Sequence, residues 1–219
     1  MQEADDKTMR GRGRPARPSG EARQAAVQAA TWLLLHEGYA ATTMEAVARH
    51  AGMAKKSLYQ YAANREELVA LVVRDWTDAF PPAMVQDAAR PDEVLPLLKD
   101  ILLAMAARVL SADAVGLFRL LCTDFPARAD LLAVYQRNGI ERGTAMLAGW
   151  LRRQAAHGHL QVADGLELAR LLLAMVIAEP LRQMALGIIP AAPEWDAGTR
   201  IDAALRLLGG QLIRPILQA

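Results

Sequence analysis

The chain has 219 residues, 53% of them apolar, and its 25 basic and 24 acidic side chains leave a net charge of +1. That length and apolar content support one ordinary core, or a small module joined to a larger one, without metals or disulfides to hold it. With Cys122 as the single cysteine, an intrachain disulfide is excluded and a reducing compartment is expected. Within "GLFRLLCTDF" that cysteine is expected to be a small buried hydrophobe.

The first twenty residues lack the apolar core of a secretory signal, and no apolar run approaches the ~20 residues that span a bilayer. A cytoplasmic protein is therefore expected. Charge is segregated along the chain: between Arg10 and Arg65, nine basic residues meet three acidic ones, a local charge of +6. The remainder is net acidic, as in a protein whose N-terminal third faces a polyanion.

Strand signals are nearly absent, and apolar residues recur at helical spacing, so the fold class expected is all-α. Residues 1–19 mix arginines with Gly11, Gly13, Pro15 and Pro18 and are expected to form a disordered basic arm. A first helix is predicted from Glu21 to Glu37, stopping at Gly38. Thr42 and Glu45 have capping-box spacing and open a predicted helix from Thr43 to about His50. A short helix from Ala54 to about Tyr61 follows, and Asn64 with Glu67 opens a longer one running past Trp76 toward Pro81. Two short helices across a glycine-containing turn form a helix-turn-helix pattern. This places a three-helix DNA-binding module at 20–80.

Residues 81–219 are predicted to be a larger helical bundle with segments 92–110, 112–123, 126–156, 164–187 and 196–217. Asp164 and Glu167 repeat the capping-box spacing, while Gly158 and Gly187 mark stops. "LARLLLAMVIAEPL" is apolar nearly all round, so this helix is expected to be covered on more than one side and kinked at Pro180.

A helix-turn-helix places its second helix in the major groove. Lys55 and Lys56 then lie in its first turn, where lysine donates to guanine O6 and N7, and Gln60 has the geometry to pair with adenine. Ser57 adds a polar contact, and Tyr59 and Tyr61 offer hydroxyls to phosphate oxygens. Arg65 and the pair Thr42 and Thr43 sit at helix starts, where the dipole favours an anion. The alternative for the same residues is a solvated lysine pair and tyrosines packed on a small core.

Taken together, "EGYAATTMEAVARHAGM", "SLYQY" and "NREEL" resemble the TetR family of bacterial transcriptional repressors, over about Arg23 to Leu71. The shared pattern is Gly-Tyr, paired threonines, Ala-x-x-Ala-Gly, Leu-Tyr in the recognition helix, and a basic residue before Glu-x-Leu. Departures are Ala54, Lys56 and Ala62, where the family commonly has a small polar cap, a small residue and a large apolar residue. They bear on the fine docking and the operator sequence.

The resemblance implies a homodimer through the last two long helices, 164–187 and 196–217, and a palindromic operator in double-stranded DNA. It also implies a pocket for a small-molecule effector among the middle helices, expected to be apolar. Candidate pocket residues are Met105, Phe118, Cys122, Tyr135, Met146, Trp150 and Met175, each of which also suits simple core. Separately, "RGRGRPAR" resembles the Arg-Gly-Arg-Pro core of AT-hook peptides, so Arg12 and Arg14 are candidates for an A·T-rich minor groove, the alternative being a basic tail held by charge alone.

No phosphate-binding glycine loop, nucleophile elbow or metal-ligand set occurs, and His157 and His159 flank Gly158 as a surface loop. Neither an enzyme nor a cofactor is expected. The expected function is a ligand-responsive repressor; the other readings are an architectural A·T-preferring DNA-binding protein or, behind it, a helical enzyme.

Overall fold

The computed structural model describes residues 18–123 and 129–212. Arg12 and Arg14, and nearly all of the predicted arm, lie outside the described residues. Among those described there is no strand, only an isolated bridge between Ser111 and Ala192. The chain is all-α.

Helix α1 spans Ser19–Ala41 and is broken near its end by Gly38, whose φ of 80° ends the regular turn there. Then come α2 (Met44–His50), α3 (Lys55–Leu58) and α4 (Arg65–Thr77). The caps decide these boundaries. Thr43, not Thr42, caps α2: its hydroxyl accepts from Ala46 N at 3.1 Å. Asn64 caps α4 as expected, accepting from Glu67 N at 2.8 Å while Glu67 accepts from Ala63 N at 2.8 Å. Ala54 occupies the cap of α3 and offers no side-chain bond.

The larger region comprises α5 (Pro81–Met84), a 3₁₀ turn (Pro91–Glu93), α6 (Val94–Val109), α7 (Ala112–Thr123), α8 (Ala129–Tyr135), α9 (Arg142–Ala156), α10 (Gly165–Leu173), α11 (Glu179–Ala185) and α12 (Ala197–Leu212). Two π-helical segments make α8 and α9, and α10 and α11, continuous: Gln136–Glu141 and Ala174–Ala178. The second lies directly before Pro180 in the first turn of α11. Proline lacks an N–H and crowds the carbonyl four residues back, and a wider turn accommodates both effects.

Two apolar clusters form. One gathers α1 to α4 around Leu34, Leu58 and Leu68, and reaches Leu117 and Leu121 of α7 and Leu131 and Val134 of α8. The other fills α5, α6 and α9 to α12 around Leu98, Leu102, Trp150 and Leu172. The small core is thus completed by side chains from well beyond residue 80. Trp150 is fully buried and its indole donates to Gln86 O at 2.9 Å. Replacing it with alanine is expected to lower unfolding stability by about 3–5 kcal/mol in urea titrations at fixed protein concentration, and a loss below about 1 kcal/mol would contradict this packing.

Candidate nucleic-acid interface and effector cavity

The described part of the candidate reading face begins at α3. Lys55 is ion-paired with Glu45 of α2, which raises the lysine's pKa and lowers that of the glutamate. Its ammonium also lies 5.8 Å from the centre of the Tyr59 ring. Lys56 is exposed and, among the described residues, has no ion-pair partner, so it is the freer cation of the two. Gln60 and Tyr59 are exposed, and Ser57 is half-buried. Thr43 is exposed; its hydroxyl oxygen accepts the capping bond, leaving its O–H available to a phosphate.

Three predicted contacts are placed differently. Thr42 is fully buried and donates to Gly38 O at 2.9 Å, which removes it from the DNA face. Tyr61 is half-buried and donates to Ser19 O at 3.2 Å, tying the start of α1 to the end of the recognition helix. Arg65 lies 4.1 Å from the centre of the Tyr39 ring and donates to Tyr39 O at 3.2 Å and Ala40 O at 3.4 Å. Tyr39 in turn donates to Glu66, and burial is the main cause of its raised pKa. Arg65 is therefore first an internal clamp between the end of α1 and the start of α4.

The sequence reading missed a stack of three rings. Trp32 of α1 lies between His36 and His50, each with ring centroids 4.6 Å from it, so the end of α2 is fixed against α1. A histidine four residues along a helix from a tryptophan is the one signal available in sequence.

Behind this module a cavity of about 300 Å³ opens between α4, α6, α7, the α8–α9 helix and the α10–α11 helix. Its wall on the α4 side is Val73, Trp76 and Thr77, with Phe80 just beyond; Met105, Val109 and Phe118 close another side. Both π segments reach it, through Gly139 and Ile140 and through Ala174, Ile177 and Ala178. Of the expected pocket residues, Met105, Phe118 and Tyr135 line it. Trp150 is instead core, Met146 and Met175 pack against that core, and Cys122 is exposed, contrary to the burial expected for it. Burial pushes the Tyr135 phenol up to about 12, so it stays neutral.

Ion pairs join the module to the body. Arg23 of α1 bonds Asp75 and Asp78, both at 3.2 Å; Arg108 of α6 approaches Asp75 at 3.7 Å. Arg142 of α9 donates to Asp78 and to the Thr77 hydroxyl, each at 2.6 Å. Thr77 itself donates to Asn138 O at 3.3 Å. Among the described residues no group of three or more His, Cys, Asp or Glu side chains has the arrangement to hold a metal. No helix among them is long and apolar enough to cross a membrane.

Residues 26–72 match the family model for bacterial regulatory proteins of the tetR family, and residues 96–208 match that for the AefR-like transcriptional repressor C-terminal domain. A TetR-family regulator from Mesorhizobium loti superposes with a TM-score of 0.69 at 18% identity, covering 91% of this chain and 100% of the other. The flavonoid-responsive regulator FrrA gives 0.65 at 22% identity, with coverage of 91% and 100%. NalD of Pseudomonas aeruginosa, described as the secondary repressor of a multidrug efflux pump, gives 0.54 at 18%, with coverage of 90% and 99%. No curated protein matches the chain. The two family models between them cover both the helix-turn-helix and the cavity-bearing bundle, and the chain belongs to the TetR family of transcriptional regulators.

Proposed function

We propose that this protein is a repressor that binds an inverted-repeat operator as a homodimer and leaves it when a small apolar effector fills the cavity. The observation that carries this reading is one helix serving two surfaces. Helix α4 walls the cavity with Val73, Trp76 and Thr77, and through Asp75 and Asp78 it holds Arg23 of the DNA-binding module.

On this reading residues 20–80 bind DNA, residues 81–219 bind effector and dimerise, and residues 1–19 are a basic arm in which Arg12 and Arg14 extend the contact. Lys56 and Gln60 read bases, while Thr43, Tyr59 and Ser57 position the backbone. Lys55 must exchange Glu45 for DNA, a modest cost for an exposed pair. Dimerisation through the last long helices is supported by apolar side chains left in solvent: Leu171 is 51% exposed and Leu207 73%. FrrA is a flavonoid-responsive regulator and NalD a secondary repressor, which fits a small-molecule effector and negative control.

Release is a population shift. A ligand that favours one position of Trp76 and Thr77 moves the end of α4, and the aspartates carry that motion to α1 and the recognition helix. Two recognition helices then no longer match successive major grooves.

Selection of duplexes from a random library at fixed moderate salt is expected to enrich an inverted repeat, and enrichment of A·T content alone would contradict the reading. Against the selected operator, Lys56→Ala is expected to cost about 1–3 kcal/mol and to relax one base position. Lys55→Ala is expected to cost less, because that lysine surrenders an existing partner; fluorescence anisotropy titrations of both variants decide the order.

A further inference from the structure

The polar groups around the cavity define the chemistry of its occupant. Thr77 already donates to backbone carbonyls and accepts from Arg142, and Thr144 donates to Ile140 O at 2.7 Å. Neither hydroxyl proton is left for a ligand. The Tyr135 hydroxyl differs: among the described residues it has no hydrogen-bond partner, though its phenol is desolvated enough to stay neutral across the ordinary pH range. A cavity-lining donor without a protein partner is free to bond an occupant that bears an acceptor oxygen.

The charge is one-sided as well. Among the described residues no aspartate or glutamate lines the cavity, and the one charged lining residue among them is Arg170, which is exposed. That guanidinium is exposed and loosely paired with Glu167 at 3.5 Å, so its charge is available to an anion entering the mouth. An ammonium inside an apolar cavity without a carboxylate loses its hydration without compensation.

Resting on the effector reading above, we infer that the occupant is an apolar molecule carrying a carbonyl or carboxylate oxygen that accepts from Tyr135, and that cationic molecules are rejected. Arg170 then separates two forms of the same chemistry. A neutral carbonyl compound gains little from it, whereas a carboxylate gains a charge-assisted bond.

Four probes sharing a naphthyl body test this by calorimetry on the full chain: 2-acetonaphthone, 2-naphthoate, 2-ethylnaphthalene and 2-naphthylmethylammonium. The ketone or the carboxylate is expected to bind, the ammonium compound at least ~10-fold more weakly. Tyr135→Phe, which removes only the hydroxyl, is expected to weaken the oxygen-bearing probe by about 10-fold and to leave 2-ethylnaphthalene unchanged. If 2-naphthoate binds more tightly than the ketone and Arg170→Gln abolishes that advantage, the natural occupant is an acid; an advantage for the ketone, insensitive to Arg170→Gln, makes it a neutral carbonyl compound. Tightest binding of the ammonium compound, or equal ketone and naphthoate affinities in wild type and Tyr135→Phe, would overturn the inference while leaving the cavity an effector site. Failure of all four, the hydrocarbon included, would overturn the effector reading itself.

Discussion

Two carboxylates at the end of α4, Asp75 on its last turn and Asp78 at its cap, are shared between the DNA-binding module and the body of the protein, and the rest of the arrangement depends on that sharing. Asp75 takes Arg23 from α1 and Arg108 from α6; Asp78 takes the same Arg23 and Arg142 from α9. An isolated surface pair contributes little, about 0–1 kcal/mol. Here the Asp75 side chain is only 14% exposed, and each aspartate is held from two sides, so moving α4 changes several contacts together. Such a set of contacts favours discrete arrangements over continuous bending.

Close packing against the same helix supports this. A Cβ at Gly139 would lie 3.1 Å from Val73 Cγ1, and one at Gly143 would lie 3.4 Å from the Phe80 ring. The α8–α9 helix therefore runs near the end of α4, with Arg142 between those glycines and the two α4 acceptors it reaches. The cavity lies where these tight contacts stop. Its π segments sit on opposite helices, and wider turns of this kind recur at functional sites because they displace backbone and side chains from regular packing.

The helix-turn-helix was legible in sequence because its punctuation is local. Asn64, Gly38 and Gly52 act within a few residues, and their chemistry fixes one outcome each. Adjacent threonines were not separable in this way. Both suit a cap, and only the packing of Tyr39 and Gly38 turns Thr42 inward and leaves Thr43 to close α2. The cavity was read less well for a different reason. Helical periodicity tells which face of a helix is buried but not what packs opposite each level of it. Gly143 and Trp150 lie seven residues apart on one buried face of α9, yet the first lines the cavity and the second is core, so position along the axis decides between them, and that depends on helices distant in the chain. Arg23, Asp75 and Asp78 lie 52 and 55 residues apart in the chain, and nothing in local sequence announces such a meeting.

The central claim is that cavity and operator are coupled through Arg142, Asp78 and Arg23. Its most direct test is a double-mutant cycle on Arg23→Gln and Arg142→Gln, measuring operator affinity with and without saturating cavity ligand. The account predicts a wild-type coupling of about 1–3 kcal/mol, reduced by either substitution and reduced no further by both, since the route from Arg142 to Arg23 runs through the Asp78 carboxylate that both share. Coupling that survives intact in Arg142→Gln, or reductions that simply add, would contradict it.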